Sequence, residues 1–234
     1  MTAAVLLRLG AAALAFTVVQ AAQPRGRQLP LDSPAGLRLH NVTAAAATLE
    51  GKRGLRVVAT ATSQPVATGQ PDEQLAIVEG LEFGNGVIEA EVAGTPRTDI
   101  FKDARGFVGV AFRVQQDLRT YDAFYLRPTN GRADDQVRRN HSAQYISHPE
   151  WPWFRLRKET PEKYESYVDL VPGVWTKIRI EVKGTQARLF VHGQSQPTLV
   201  VNDLKTGPNA KGAVALWLEV STEAHFRDLT VTAE

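Results

Sequence analysis

The sequence contains no cysteine, which excludes disulfides, thiolate nucleophiles and thiolate-held metals together. Charge of either sign is nearly balanced. The 27 Lys and Arg exceed the 25 Asp and Glu by a formal +2, too little for a polyelectrolyte partner such as nucleic acid. Beyond the N-terminus there is no apolar run of the roughly 20 residues that crossing a bilayer takes. Glycine and proline, 18 and 13 of 234 residues, are too few for collagen-like or low-complexity chain. No repeat of fixed period is present, which argues against a propeller or β-helix. Metal and cofactor motifs are also missing. His141 and His148 lack zinc spacing, Gly84-Asn-Gly86 lacks the third glycine of a dinucleotide fingerprint, and there is no P-loop. No cofactor is therefore called for, although a turn such as Asn202-Asp203 could hold a structural calcium. What remains, 43% hydrophobic and 22% charged, suits one globular domain with a sizeable core.

Met1 to Ala22 has one early cation, Arg8, an apolar run from Leu9 to Val19 and small residues at its end. This predicts a secretory signal cut near Ala22, leaving about 212 residues that are periplasmic or secreted and do not insert into a membrane. A Pro/Gly/Arg-rich leader over 23–36 and a single domain over 37–234 complete the expected organisation.

From residue 37 the hydrophobic period is two rather than 3.6. Ile88, Ala90 and Val92 alternate with Glu89 and Glu91; Ile178, Ile180 and Val182 alternate with Lys177, Arg179, Glu181 and Lys183. Gly106–Val114 sets Val108, Val110, Phe112 and Val114 against Phe107, Gly109, Ala111 and Arg113. Gln186–Val191 follows Gly184-Thr185 as the second arm of a hairpin. Further strands are expected at 37–42, 55–60, 75–78, 121–127, 144–147, 164–170, 198–201, 213–219 and 224–231. No amphipathic helix is expected after the signal. The fold class is all-β, a two-sheet antiparallel β-sandwich or barrel.

Tyr121 to Tyr167 holds nine of the eighteen aromatic residues, interleaved with polar groups. Flat rings cover the apolar faces of sugars, and planar Arg, Asn and Gln groups pair with their hydroxyls. Arg113, Tyr125, Arg127, Asn130, Arg139, Asn140, Gln144, Tyr145, Trp151, Trp153 and Arg155 are the candidate substrate-binding residues. Asp134, Asp135, Glu150, Glu159, Glu162 and Glu165 nearly offset the basic charge of this segment, which again disfavours nucleic acid. The alternative is a long loop packed onto a sheet with its arginines in surface ion pairs. Glu89 and Glu91 share one face of one strand, with side chains starting about 6.5 to 7 Å apart. That lies between retaining and inverting glycosidase separations. These two, Glu165 and His141 are the candidate catalytic residues, and a solvated outer face is the alternative for the pair.

Trp175-Thr-Lys-Ile-Arg-Ile-Glu-Val-Lys-Gly184 followed by Ala187-Arg-Leu-Phe-Val-His-Gly193 resembles the central hairpin of concanavalin A-like lectin/glucanase jelly rolls, shared with laminin-G-like modules. Phe83–Val92 and Gly106–Arg113 fit the same pattern. Gly212-Ala-Val-Ala-Leu-Trp-Leu218 and Ala224–Val231 resemble the closing strands of the 3-keto-disaccharide hydrolase-like branch. The resemblance covers residue 75 to the C-terminus and implies two stacked antiparallel sheets, one of them concave and suited to a sugar. Family 16 glucanases carry Glu-x-Asp-x-x-Glu, whereas Glu89-Ala-Glu91-Val-Ala-Gly94 has glycine at the third position, a departure from the laminarinase type. Three functions stay open: a glycoside hydrolase or lyase of the 3-keto-disaccharide type, a non-catalytic carbohydrate-binding jelly roll, and a structural envelope protein. Oligomeric state is not legible.

Overall fold

A computed structural model describes residues 26–60 and 73–234. The expected signal, 1–22, and the first residues of the leader lie outside the described residues. Among the described residues, fifteen strands form two antiparallel sheets. The first sheet runs β13 (Leu199–Val201), β12 (Gln186–Val191), β11 (Thr176–Lys183), β6 (Gly86–Pro96), β15 (Thr222–Ala233), β4 (Lys52–Ala59) and β3 (Val42–Leu49), with β1 (Arg27–Leu29) also pairing β15. The second runs β10 (Glu165–Ser166), β9 (Ala143–His148), β8 (Tyr121–Leu126), β7 (Val108–Val114), β14 (Ala213–Leu218), β5 (Leu75–Val78) and β2 (Leu37–His40). The two-sheet sandwich read from the alternation is thus present, and the hairpin Thr176–Lys183 with Gln186–Val191 has the expected bounds.

The alternation explains the stacking. In β6 and β11 the aliphatic positions Ile88, Ala90, Val92, Ile178, Ile180 and Val182 are buried, while the charged residues between them are partly exposed or exposed. Val110, Phe112, Phe124, Leu216 and Leu218 of the second sheet complete one core with Leu55, Val57, Leu189 and Phe226 of the first. One arginine and one aspartate are fully buried at an end of this core, Arg113 and Asp122, with Arg113 Nη1 3.8 Å from Asp122 Oδ2.

Two expectations change. Part of the segment read as leader is strand: Arg27–Leu29 pairs with 229–231 of β15, continuing the edge that β4 occupies over 223–226. Leu29 and Leu31 are buried there, which an Arg- and Pro-rich composition concealed. Two short helices also occur, α1 (Gln136–Asn140) and α2 (Trp153–Glu159). The Asp135 side chain caps α1, accepting from the Arg138 amide at 2.6 Å, and α2 follows Pro152. At five and seven residues they are too short to show a helical period. No helix among the described residues is long and apolar enough to cross a membrane.

Candidate functional site

Residues directly opposite in antiparallel strands share a face. Across the second sheet one row therefore reads Trp217, Gly109, Tyr125, Gln144 and Glu165, contributed by β14, β7, β8, β9 and β10. With the aliphatic positions of β7 turned to the core, this row lies on the sheet's outer face. Glycine at 109 is required: a Cβ there would stand 2.5 Å from the Tyr125 Cα. The Tyr125 and Trp217 rings, whose strands flank Gly109, lie 4.7 Å apart between centroids. Two residues along each strand, alternation puts Glu219, Phe107 and Arg127 in the adjoining row, and the Glu219 amide donates to the Phe107 carbonyl at 3.2 Å.

Arg127 organises this end of the face. It is 2% exposed, and its Nη2 donates to Tyr125 Oη at 2.7 Å and to Gln144 Oε1 at 3.0 Å. The guanidinium lies 4.9 Å from the Phe107 centroid and 5.3 Å from those of Tyr125 and Trp153. Glu165 is shared among three cationic or basic groups. Arg157 grips it with two donors, Nε to Oε2 at 3.0 Å and Nη2 to Oε1. Arg127 Nη1 is 3.6 Å from Oε1, and His141 Nε2 is 3.4 Å from Oε2. Burial pushes the His141 imidazole below its ordinary value, outweighing the opposing pull of Glu165. At neutral pH it is the neutral base.

Beside this cluster opens a cleft of about 360 Å³ lined by Phe101, Asp103, Ala104, Arg105, Phe107, Arg127, Trp153, Arg157, Glu219 and Ser221. That volume falls in the range of small-molecule sites. Trp153, at the start of α2, is set between two guanidiniums, Arg127 and Arg157 at 5.3 and 4.8 Å. Glu219 is a carboxylate of different character from Glu165. Burial pushes its carboxyl above the ordinary value, against hydrogen bonds from the Ser221 hydroxyl at 2.5 Å and amide at 2.9 Å. No ion pair to Glu219 occurs among the described residues. Glu219 was not among the sequence candidates. The signal was available, since Glu219 follows Trp217 at the period of two, one residue past the end of β14, and that Trp faces the aromatic row.

The candidate residues divide by position. Tyr125, Arg127, Gln144, Trp153, Glu165 and His141 come together at or directly behind the cleft. Arg113 does not reach it. Its donors go to the carbonyls of Gly84, Gly184 and Gly207 at 2.8 to 3.0 Å. Tyr145 turns the other way from Gln144, into the core, and donates to Asp122 at 2.6 Å. Asn130 is buried and ties the loop, donating to the His141 carbonyl at 3.1 Å and accepting from Arg138 Nε at 3.0 Å. Arg139 donates to Tyr167 Oη at 3.1 Å, and exposed Asn140 accepts from Gln136 at 2.8 Å. Trp151 is packed under Arg155 and Lys205, whose charges lie 3.9 and 4.7 Å from its ring. Asp203, in the turn considered for calcium, accepts from Lys163 and Lys205 at 2.9 Å and Tyr164 at 2.6 Å, so cations of the chain itself already occupy it.

Glu89 and Glu91 lie on the outer face of the other sheet. Glu89 is 3.6 Å from Lys177 Nζ, and Glu91 is 3.6 Å from both Lys52 Nζ and Arg227 Nε. The structure does not bring them to the cleft. A second polar cluster was also unforeseen. On the outer face of the second sheet Tyr121 donates to Glu73, Trp217 Nε1 donates to Tyr121 Oη at 2.9 Å, and His148 Nδ1 lies 2.9 Å from Glu73 Oε1. Burial and the Glu73 carboxylate push the Tyr121 phenol well above its ordinary value.

A comparison with curated proteins returned no match. Among solved structures, the carbohydrate-binding module CBM66 from Bacillus subtilis superposes with a TM-score of 0.52 at 10% identity, covering 84% of this chain and 98% of that one. A Bacillus licheniformis beta-glucanase superposes with a TM-score of 0.46 at 13% identity, covering 92% and 100%. The first of these likenesses bears on the fold alone, a two-sheet jelly roll, and not on the ligand. The model of the 3-keto-alpha-glucoside-1,2-lyase-like domain matches residues 47–232, a span that takes in β4 to β14 and every residue lining the cleft. The chain belongs to the 3-keto-alpha-glucoside-1,2-lyase-like domain family.

Proposed function

We propose that the chain is an exported carbohydrate-active protein that binds a sugar in the Arg127–Trp153 cleft and cleaves a 3-keto-glucoside there by elimination. The observation that carries the proposal is Glu219, a cleft carboxylate without an ion-pair partner among the described residues and with its pKa raised by burial. A carbonyl at C3 acidifies the hydrogen at C2. A base removes that proton, its electron pair forms the C1–C2 double bond, and the C1–O bond breaks with the aglycone oxygen taking a proton. A carboxylate whose pKa is raised is a stronger base in its ionised form. Arg127, Arg157 and Arg105 supply fixed positive charge for the enolate oxygen that develops at C3. Trp153 and Phe107 supply the apolar walls that a sugar ring needs.

Glu165 is held by two guanidiniums, so its role is to fix Arg127 and Arg157 and to orient His141. That same locking favours a second reading, a binding module without turnover. The deciding experiment measures aglycone release from a 3-keto-disaccharide and from the unoxidised sugar, alongside binding of both. Turnover of the keto sugar alone, lost in Glu219→Gln with binding retained, is expected. Binding without turnover by the wild-type chain would leave the binding reading in its place.

A further inference from the structure

The guanidinium groups at the cleft outnumber its carboxylates. Arg105, Arg127 and Arg157 line it, and Arg138 stands behind Arg105, bonded to Asn130 and the Thr129 carbonyl rather than to an acid. Against these four stand Asp103, Glu165 and Glu219. One of the three, Glu165, is divided between Arg127 and Arg157, and another, Glu219, is bonded to the Ser221 amide and hydroxyl rather than to a guanidinium. No carboxylate among the described residues lies within 4.0 Å of the Arg105 or Arg138 guanidinium. Arg127 Nε, in the cleft wall, is buried with no hydrogen-bond partner. A buried donor left unmade is costly, and so is a partly buried cation with no carboxylate at ion-pair distance.

We infer that the sugar taken by this cleft carries a carboxylate, as a uronic acid does. The inference rests on the proposed carbohydrate site and adds the substrate's charge. A planar carboxylate matches the fork of a guanidinium and accepts two parallel N–H bonds, a geometry that neutral hydroxyls do not offer. Arg105 is the natural partner. It is half-buried, and burial together with the nearby Arg138, Arg127 and Arg157 charges depresses its pKa against the weaker opposing pull of exposed Asp103. A ligand carboxylate relieves that repulsion. Glu165 cannot do so, being held by Arg157 and Arg127.

The test is calorimetric titration of the full chain with methyl α-glucuronide and with methyl α-glucoside, at low and high salt. The glucuronide is expected to bind at least about tenfold tighter at low salt, with the gap narrowing as salt rises. Arg105→Gln closes the gap, and Arg105→Lys keeps part of it because the charge remains while the fork is lost. Equal affinity for the two sugars overturns the inference and leaves the carbohydrate site standing, as does a preference that survives Arg105→Gln. Sodium acetate competing as well as the glucuronide would also overturn it, since the site would then bind an anion rather than a sugar. Binding of neither sugar removes both the site and the inference.

Discussion

The outer faces of the two sheets use the same residue types to opposite ends. On the first sheet Glu89 and Glu91 stand opposite Arg179 and Lys177 in register, with Arg227 opposite Glu91 on the other side. Each of these side chains keeps a fifth or more of its surface in water, and the Glu89 and Glu91 pairs sit at 3.6 Å. On the second sheet Arg127 and Glu165 are nearly fully enclosed, stacked against aromatics and bonded through Tyr125 and Gln144. Exposed cross-strand pairs keep a sheet soluble and in register but contribute little each. Enclosed charges are committed, because every partner removed leaves another unpaired. Proximity of carboxylates in sequence is thus a poor guide to chemistry, and enclosure beside a cleft is a better one.

The largest effect should come from breaking the enclosed side. Glu165→Ala removes the shared acceptor of Arg127 and Arg157, and about 3 kcal/mol of unfolding free energy should be lost, measured by urea denaturation. Glu165→Gln keeps an acceptor oxygen and the shape, so it should cost clearly less. Equal losses would mean that the carboxylate charge is not what the arginines require. Trp153→Ala should follow, weakening sugar binding by about 1 kcal/mol or more through lost ring contact, read by titration.

Two carboxylates four residues apart sharpen the contrast through pH. On the first sheet a hydrogen bond from Arg56 to Glu223, at 2.5 Å, holds that carboxyl below its ordinary value. A lowered folded pKa contributes stability above the unfolded value near 4.5 that is lost as pH falls through the folded value. Glu219 behaves oppositely. Its raised folded pKa favours the neutral form, so ionisation costs stability as pH rises from about the ordinary carboxylate value through the folded one. Glu219→Gln should therefore gain on the wild type with rising pH, and Glu223→Gln should lose. Stability curves from about pH 2 to 8 check both signs, and parallel slopes for the two variants would refute the assignment.

Much of this was legible in the chain, and the rest was lost for definable reasons. The alternation in Thr176–Lys183 and Gln186–Val191 gave their strands to the residue, because one apolar face of a sheet must be buried. The cluster at Tyr125, Arg127, Gln144, Trp153, Glu165 and His141 was named from composition alone, since sugar-facing and buried polar surfaces draw on the same aromatic and planar side chains. Composition could not assign sheets to faces, so Tyr145 and Gln144 were grouped although neighbouring strand residues point oppositely. Arg113 sits next to a core phenylalanine with φ of 56°, an irregularity that the alternation cannot announce. Glu219 and Arg105 come from segments far from residues 121–167, brought to the cleft only by sheet pairing.

The smallest effect is expected where the sequence drew most attention. Glu89→Gln and Glu91→Gln, singly or together, should change unfolding free energy by no more than about 0.5 kcal/mol each, with little dependence on salt. Lys52, Lys177 and Arg227 are left with water as an alternative partner, at side-chain exposures of 51, 55 and 22%. Arg227, the least exposed of the three, also keeps Asp228 at 2.6 Å, so even its loss of Glu91 is cushioned. Turnover of a keto-glucoside should be unchanged, because the pair lies on the sheet opposite to the cleft. A fall in turnover with stability intact would move the reaction to the first sheet and with it the meaning of the enclosed cluster, which would then be a device of folding rather than of chemistry.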